Sequence, residues 1–367
     1  MKFFKRLQLL RVRQRLYTTS NANQNNYECD IEFANAPHFP VMWKETLHYL
    51  NLAPGDTMID MTFGSGGHSK KILDTVPDVK IFALDRDPTA MNFAEDLAKK
   101  YPGQVFPLLG RFSELPKLLE SYHIKENSID AMLFDFGCSS MQYNTPERGF
   151  MISKNGPLDM RMDGNRSTNS PTAADVLEKA SERDLYHIIK YYGEEKRARK
   201  IARALFDARY MFRSLKTTHE LAKFIESLFS SEINTDQLGR FQHPATKTFQ
   251  ALRIFVNNEL NEINHAIVIA TKLLKINGRL ITISFHSLED TIVKRHLSGN
   301  VSDSVANKLP LRYANWGKVW QNKEDIEALT SSPWLMLHKH VLTPSDEEVY
   351  ANPRSRSAKF RVIAKIK

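Results

Sequence analysis

Four short runs rich in apolar and β-branched residues alternate with stretches of helical pattern in the first third of the chain. The runs are Thr57–Thr62, Val79–Leu84, Val105–Leu108 and Ile129–Phe134. The helical stretches are His68–Asp74, Pro88–Lys100 and Phe112–Tyr122, with a short helix over Trp43–Leu50 ahead of them. Strands this apolar are buried on both faces, and parallel strands need a crossover, usually a helix, to bring the chain back to the same edge. The alternation therefore predicts an α/β fold with a doubly wound, mostly parallel sheet of Rossmann-like type. It stops near Cys138. From Thr145 to Pro244 the pattern is helical and polar, with helices expected at Ala173–Ala180, Glu182–Tyr191, Glu194–Tyr210 and Thr218–Phe229. Residues 145–244 are thus expected to be a helical domain inserted between two parts of the α/β domain, 27–144 and 245–367.

The second part opens on a long helix, Lys247–Leu274, because Phe249, Leu252, Val256, Leu260, Ile263 and Ile267 form one stripe. Asn277-Gly278 is expected to end it, followed by a strand at Arg279–Phe285. Ser287 with Asp290 resembles a capping box opening a helix at Leu288–Leu297. Residues 299–350 read as irregular, and Ala358–Lys365 as a last strand.

The first 26 residues have a different character. They hold six basic residues and no acid, with Phe3, Leu7 and Leu10 at helical spacing and a Ser/Thr/Asn stretch behind them. This composition reads as a mitochondrial presequence, and the alternative is a basic RNA-binding tail. Its removal would take six positive charges from a net +9 and leave the mature chain at +3. Global charge then says little about partners, but local clusters say more. Lys190–Lys216 carries nine basic residues against three acids, and Ala351–Lys367 carries six against none. Such stripes suit phosphate contact. Arg199 and Arg203 fall on one expected helix with Lys196, Arg197 and Lys200, while Arg253, Arg354 and Arg356 are further candidates for phosphate contact. No run approaches the roughly 20 apolar residues of a membrane span. Two cysteines, Cys29 and Cys138, are too few for a disulfide framework or a cysteine zinc site. No metal is expected, and nothing in the sequence fixes an oligomeric state.

The segment Asp60–Ser69, Asp-Met-Thr-Phe-Gly-Ser-Gly-Gly-His-Ser, follows a strand and opens a helix. Gly64, Gly66 and Gly67 let the backbone turn sharply and lie against a ligand. In an open parallel sheet such a loop falls at the carboxyl ends of the strands, where ligands bind. No Gly-Lys-Ser/Thr follows, so a phosphate-cradling ATP loop is disfavoured. Gly64-x-Gly66-x-x-Ser69 lacks only the third glycine of a dinucleotide site, which keeps that reading open. Asp85 ends the second run, where a carboxylate can accept hydrogen bonds from both hydroxyls of an adenosine ribose. The alternative is a helix cap before Pro88, a role that Asp87 fills better.

Asp135-Phe-Gly-Cys-Ser-Ser140 ends the fourth run and brings Asp135, Ser139 and Ser140 beside the same cleft. Asp135 is suited to hold an acceptor amine, or to a purely structural or cofactor contact. Cys138 is either a ring-attacking nucleophile or, as free cysteines mostly are, an apolar filler. Asp159, Arg161 and Asp163 either bind a substrate edge or brace their loop. His286 lies at the carboxyl end of a strand and either lines the cleft or is a structural histidine.

Ten segments together resemble one family, the bacterial small-subunit rRNA cytosine-N4 methyltransferases called RsmH or MraW. They are His38–Glu45, Asp60–Ser69, Asp85–Pro88, Asp135–Ser140, Glu147–Phe150, Gly156–Asp163, Tyr192–Glu195, His243–Ile254, Ser284–Asp290 and Asn352–Ser357, in order over nearly the whole chain. With the presequence, the chain looks like the animal mitochondrial branch. The resemblance implies S-adenosylmethionine as cofactor, held at Gly66, Gly67, His68, Asp85, Phe112, Asp135 and Gln142, with Phe112 packed on the adenine. It implies catalytic roles for Asp135, Ser139 and Ser140. Asp159, Arg161, Asp163, Arg199, Arg203 and His286 are the candidates for substrate contact. The implied substrate is a cytidine of mitochondrial small-subunit (12S) rRNA, naked or in an assembly intermediate, and the implied site of action is the mitochondrial matrix. The chain departs from the family at Cys138, which replaces a valine, and at Asn277-Gly278, which replaces Gly-Gly. Residues 299–350 show little of the family pattern. Two rival readings are a non-catalytic assembly factor that keeps the cofactor pocket and an NAD-dependent oxidoreductase.

Overall fold

The computed structural model describes residues 40–166, 169–211, 215–229, 242–298 and 332–367. The expected presequence, Cys29, His38 and residues 299–331 lie outside the described residues. Helix α1 (Trp43–Leu50) leads into strand β1 (Thr57–Asp60), followed by α2 (Gly67–Leu73), β2 (Lys80–Asp85), α3 (Pro88–Lys100) and β3 (Val105–Leu109). After α4 (Leu115–Leu119) come β4 (Ile129–Asp135) and α5 (Ser140–Asn144). The polar stretch then forms α6 (Ala173–Lys179), α7 (Glu182–Tyr191), α8 (Ala198–Tyr210) and α9 (Thr218–Ser227). Helices α10 (Thr246–Asn257) and α11 (Glu259–Leu273) return the chain to β5 (Leu274–Ser284) and α12 (Ser287–Leu297). β6 (Trp334–Met336), α13 (Asp346–Ala351) and β7 (Lys359–Lys365) complete it.

The seven strands run in the order β3-β2-β1-β4-β5-β7-β6. The first five are parallel, and β7 is antiparallel to both β5 and β6. This is the mostly parallel, doubly wound sheet that the alternation predicts. Strand periodicity sends Ile59, Phe82, Leu84, Met132, Phe134 and Leu280 to one face, where they meet α11 and α12. Met58, Ile81, Ala83, Ala131, Leu133 and Ile281 go to the other, against α1, α2 and α3. Helices α6 to α9 bury a third cluster with Phe249, Ala251 and Leu252 of α10.

The expected long helix Lys247–Leu274 is two. Asn258 takes the left-handed conformation (φ 51°) and breaks it, although the apolar stripe continues across the break. Asparagine bears this conformation at low cost, so the stripe alone gives no sign of it. β5 starts at Leu274 instead of Arg279, with a shift in its pairing between Ile129 and Ala131 and a left-handed Asn277 (φ 66°). The expected helix Phe112–Tyr122 is a 3-10 turn, the short α4 and a second 3-10 turn. The expected helix from Glu194 starts at Ala198. The box opening α12 is not Ser287 with Asp290: the Glu289 carboxylate accepts the backbone N–H groups of Phe285 (2.7 Å) and His286 (3.3 Å). Asp290 instead pairs with Arg361 of β7 at 2.6 Å. Residues 332–350, expected to be irregular, contain β6 and most of α13.

At Gly193, between α7 and α8, a Cβ would lie 2.5 Å from the Lys247 carbonyl oxygen and 2.7 Å from that of Ile189. Both obstacles are backbone, so neither rotates away. We expect Gly193→Ala to destabilise the protein by about 2 kcal/mol through overpacking. Urea unfolding checks this; an unchanged midpoint would refute the close approach.

Candidate functional site

Three neighbouring parallel strands end in aspartate: β1 in Asp60, β2 in Asp85 and β4 in Asp135. The chain continues from Asp60 into the glycine turn. Gly66 has a left-handed φ of 78°, and a Cβ there would lie 2.6 Å from the Phe63 ring, so the turn closes only around glycine. Gly67 begins α2, which carries His68 and Ser69 inward, both buried. The strand ends are laced together. Asp135 donates its backbone N–H to the Thr62 hydroxyl (2.7 Å), Phe63 to the Leu84 carbonyl (3.0 Å) and Gly110 to the Asp85 carbonyl (2.9 Å).

The three carboxylates differ in what satisfies them. Asp60 accepts the Ser69 hydroxyl at 2.6 Å and the Thr62 N–H at 3.2 Å. Its burial pushes the carboxyl pKa up against those hydrogen bonds. Asp85 accepts the Gly64 N–H at 2.7 Å on one oxygen and the Asp87 N–H at 2.9 Å on the other. Burial outweighs both, and its pKa is pushed up to about 6. Each carboxylate oxygen has a second lone pair, so Asp85 retains acceptor capacity. Asp135 faces His68, with Oδ2 3.7 Å from Nε2. The Asp135 Oδ1 and the His68 Nε2 are buried, and neither has a hydrogen-bond partner. Phe112 sits in the 3-10 turn after β3, half-buried, its ring edge-on to Phe134 at 5.6 Å.

The structure thus brings Gly66, Gly67, His68, Asp85, Asp135 and Phe112 to one end of the sheet. Gln142 and Ser139 are placed there with their polar groups engaged. The Ser139 hydroxyl caps α5 by accepting the Gln142 N–H (3.2 Å), and Gln142 Oε1 accepts the Ser139 N–H (3.0 Å). Gln142 Nε2 donates to Asp87 (2.8 Å), which also caps α3 through the Thr89 N–H (2.9 Å). Ser140 begins α5 and is half-buried.

Asp159, Arg161 and Asp163 make contacts that brace their loop. Arg161 forks onto Asp159 at 2.8 and 2.7 Å. The buried Asp163 is held by Arg86 and by Arg111 Nε (2.9 Å). These guanidinium groups outweigh burial and hold its carboxyl below the usual range. His286 follows β5, with Nε2 2.9 Å from Oε1 of the fully buried Glu289. Arg253 was expected at the surface for phosphate contact and is instead largely enclosed. It forks onto Glu259 at 2.9 Å for each bond, lies 3.9 Å from Glu289 and reaches Cys138 Sγ at 3.7 Å. Arg354 is also turned inward, donating to Asn144 at 2.7 Å. Arg199 and Arg203 are exposed on α8, away from these contacts.

The sequence reading passed over Asp60, Thr62, Arg86, Arg111 and Glu289. Asp60 and Thr62 lay inside the glycine segment, where an acid beside a serine nine residues on was the available signal. The others act through partners more than 30 residues away or in a box misread by one residue, which local pattern does not reveal. Among the described residues, no group of three or more His, Cys, Asp or Glu is arranged to hold a metal, and no helix is long and apolar enough to cross a membrane.

Comparison with known proteins adds to this geometry. The family described as the MraW methylase family matches residues 35–366. A Drosophila melanogaster protein described as a methyltransferase-like protein 15 homolog is 51% identical over 337 residues, covering 91% of this chain and 94% of that protein. The human 12S rRNA N(4)-cytidine methyltransferase METTL15 is 46% identical over 347 residues, covering 92% of this chain and 84% of that protein. A Culex quinquefasciatus protein described as the receptor-type tyrosine-protein phosphatase mosPTP-1 is 54% identical over 329 residues. That match covers 90% of this chain, but the chain spans only 22% of the mosquito protein.

Removing the Asp163 carboxylate leaves Arg86 and Arg111 without their shared partner in a largely buried site. Asp163→Ala is expected to cost about 3–5 kcal/mol. Because the native pKa is depressed, the contribution of Asp163 is present at neutral pH and is lost as pH falls through the carboxylate range. Chemical denaturation of the variant and the parent at neutral and acidic pH checks this, and an equal difference at both would refute it.

Proposed function

The chain belongs to the MraW methylase family, and from there we propose that it methylates the exocyclic N4 amine of a cytidine in mitochondrial small-subunit (12S) rRNA, using S-adenosylmethionine. The reading is supported by similarity to the human 12S rRNA enzyme over 92% of the chain. The basic, acid-free first 26 residues support action in the mitochondrial matrix. We assign residues 145–244 to a helical RNA-recognition insert between the two parts of a methyltransferase domain. The observation that carries the mechanism is the buried, unpartnered Asp135 Oδ1 beside His68.

An uncompensated acceptor of this kind is costly unless a ligand donates to it. The residues present fit S-adenosylmethionine: Asp85 has lone pairs left for ribose hydroxyls, Phe112 offers a half-buried ring for the adenine, and the glycine turn allows close backbone approach. When bound, S-adenosylmethionine supplies a methyl group activated by its sulfonium. Asp135 accepts a hydrogen bond from the cytidine N4 amine and holds it in line for attack. That bond also turns the nitrogen lone pair out of conjugation with the ring. As N4 acquires the methyl group it becomes positively charged and acidic, and Asp135 receives the departing proton. His68 Nε2, 3.7 Å from Asp135 Oδ2 and itself without a hydrogen-bond partner, stands beside the carboxylate. The target base must leave its stack to reach these groups.

Mass spectrometry of nucleosides from mitochondrial 12S rRNA tests the proposal. We expect N4-methylcytidine to vanish when the protein is removed and to return with the parent chain but not with Asp135→Asn. In vitro the variant should lose about 100-fold in kcat, the range for losing a general base, with a smaller loss of cofactor affinity. Unchanged N4-methylcytidine without the protein would leave the assembly-factor reading in its place.

The Asp85 carboxyl yields a second expectation. Its pKa of about 6 in the free protein means that below this pH the ribose meets a neutral acid. Cofactor affinity should therefore be flat above about pH 6 and weaken about tenfold per unit below it. Calorimetric titration across this range checks it; an affinity constant from about pH 5 to 8 would remove Asp85 from the ribose site.

A further inference from the structure

Helix α7 presents a row of side chains that the proposed chemistry does not use. Arg183, His187 and Tyr191 recur at four-residue spacing and so share one helix face. Tyr186 and His187 have ring centroids 5.5 Å apart, and His187 and Tyr191 5.8 Å apart. Tyr191 is 46% exposed, and the half-buried Tyr186 packs against the apolar cluster of the helical segment. The guanidinium of Arg199, on the neighbouring α8, lies 5.7 Å from the Tyr186 ring. Arg203 lies one turn further along α8 and is 75% exposed. Aromatic faces and guanidinium groups are thus interleaved along the α7 and α8 surface.

The surface runs toward the cleft. Three residues beyond Tyr191, the Glu194 carboxylate accepts the hydroxyl hydrogen of Ser287, directly after His286 at the carboxyl end of β5. Three extended residues span at most about 11 Å. Gly193, pressed against the Lys247 and Ile189 carbonyls, fixes that connection to α10.

Resting on the RNA-substrate reading above, we propose that Tyr186, His187 and Tyr191 with Arg199 form a stacking ledge for unpaired nucleotides beside the target cytidine, the occupant being single-stranded RNA. Bases splayed from a single strand stack on aromatic rings and on guanidinium planes, whereas a paired duplex keeps its base faces covered. Arg203 meets the phosphates. The division of labour is measurable, because stacking contributes affinity without counterion release and phosphate contacts contribute affinity with it.

The test uses the full chain and a fluorescein-labelled single-stranded oligoribonucleotide, with the same sequence in a duplex as control, titrated over a range of salt. Tyr186→Ala and Tyr191→Ala are each expected to weaken single-strand binding about tenfold, within the range for losing one stacked base. Duplex binding and the slope of log affinity against log salt stay as in the parent. Tyr186→Phe and Tyr191→Phe keep the ring and bind like the parent, which separates stacking from a hydroxyl contact or a loss of fold. Arg203→Gln makes the salt slope shallower. The ledge is overturned if the Ala variants bind the single strand like the parent, if their loss comes with a shallower slope, or if the Phe variants fall equally. A parent that binds neither RNA overturns the substrate reading together with the ledge.

Discussion

Three carboxylates stand side by side at the ends of β1, β2 and β4, Asp60 buried and Asp85 and Asp135 half-buried, and this is the constraint around which the rest of the site is arranged. Each raises the cost of its neighbours, and Asp60 and Asp135 repel one another, as do Asp60 and Asp85. The chain answers differently at each position. Asp60 is closed off by Ser69 and the Thr62 N–H, so it holds the glycine turn to the sheet and offers little to a ligand. Asp85 is held by two backbone N–H groups and keeps spare lone pairs. Asp135 alone has a buried oxygen without a donor. On the proposed reading, the acid left without a donor is the one that takes the incoming amine.

Much of this was legible in the sequence, and the failures have a common cause. Strand-helix alternation depends on short-range periodicity, and from it follow the mostly parallel sheet and the placing of Asp85 and Asp135 at strand ends. Asp87 was read correctly as the α3 cap because capping is also local. Asn258 was missed because the stripe from Phe249 to Ile267 survives a single left-handed residue. The α12 box was misread because Ser287 and Asp290 satisfy the local rule while Arg361, on a distant strand, claims Asp290. Arg253 was read as a surface cation for the same reason: Glu259 is close in sequence, but Glu289 and the Cys138 loop come from elsewhere in the fold.

Arg253 also shows how the helical segment and the loop after Asp135 are joined. It lies on α10, whose Phe249, Ala251 and Leu252 belong to the apolar cluster of α6 to α9. Its guanidinium meets Glu259 on α11, Glu289 on α12 and Cys138 two residues before α5. A charge enclosed to this degree is tolerable only when paired, and the two glutamates raise its pKa further above its ordinary value against the cost of burial. Arg253 of α10 thus touches Cys138, three residues after Asp135. On the proposed reading, the groups that grip RNA on the helical side and those that handle the amine are linked through this one enclosed cation.

On the proposed reading, the same contact bears on which atom of cytosine accepts the methyl group. Methylation at the ring carbon C5 requires a thiolate that attacks the ring, and a reactive cysteine needs an electropositive setting that lowers its pKa. Cys138 stands in the right loop, but burial pushes its thiol up and outweighs the attraction of Arg253. That guanidinium is already matched by Glu259, which itself opposes ionisation of the thiol. Cys138 packs against the apolar cluster of the helical segment. Among the described residues Cys138 is the one cysteine at these strand ends, and with its thiol held protonated and a carboxylate oxygen unpartnered at Asp135, the proposed reading favours an exocyclic amine over a ring carbon.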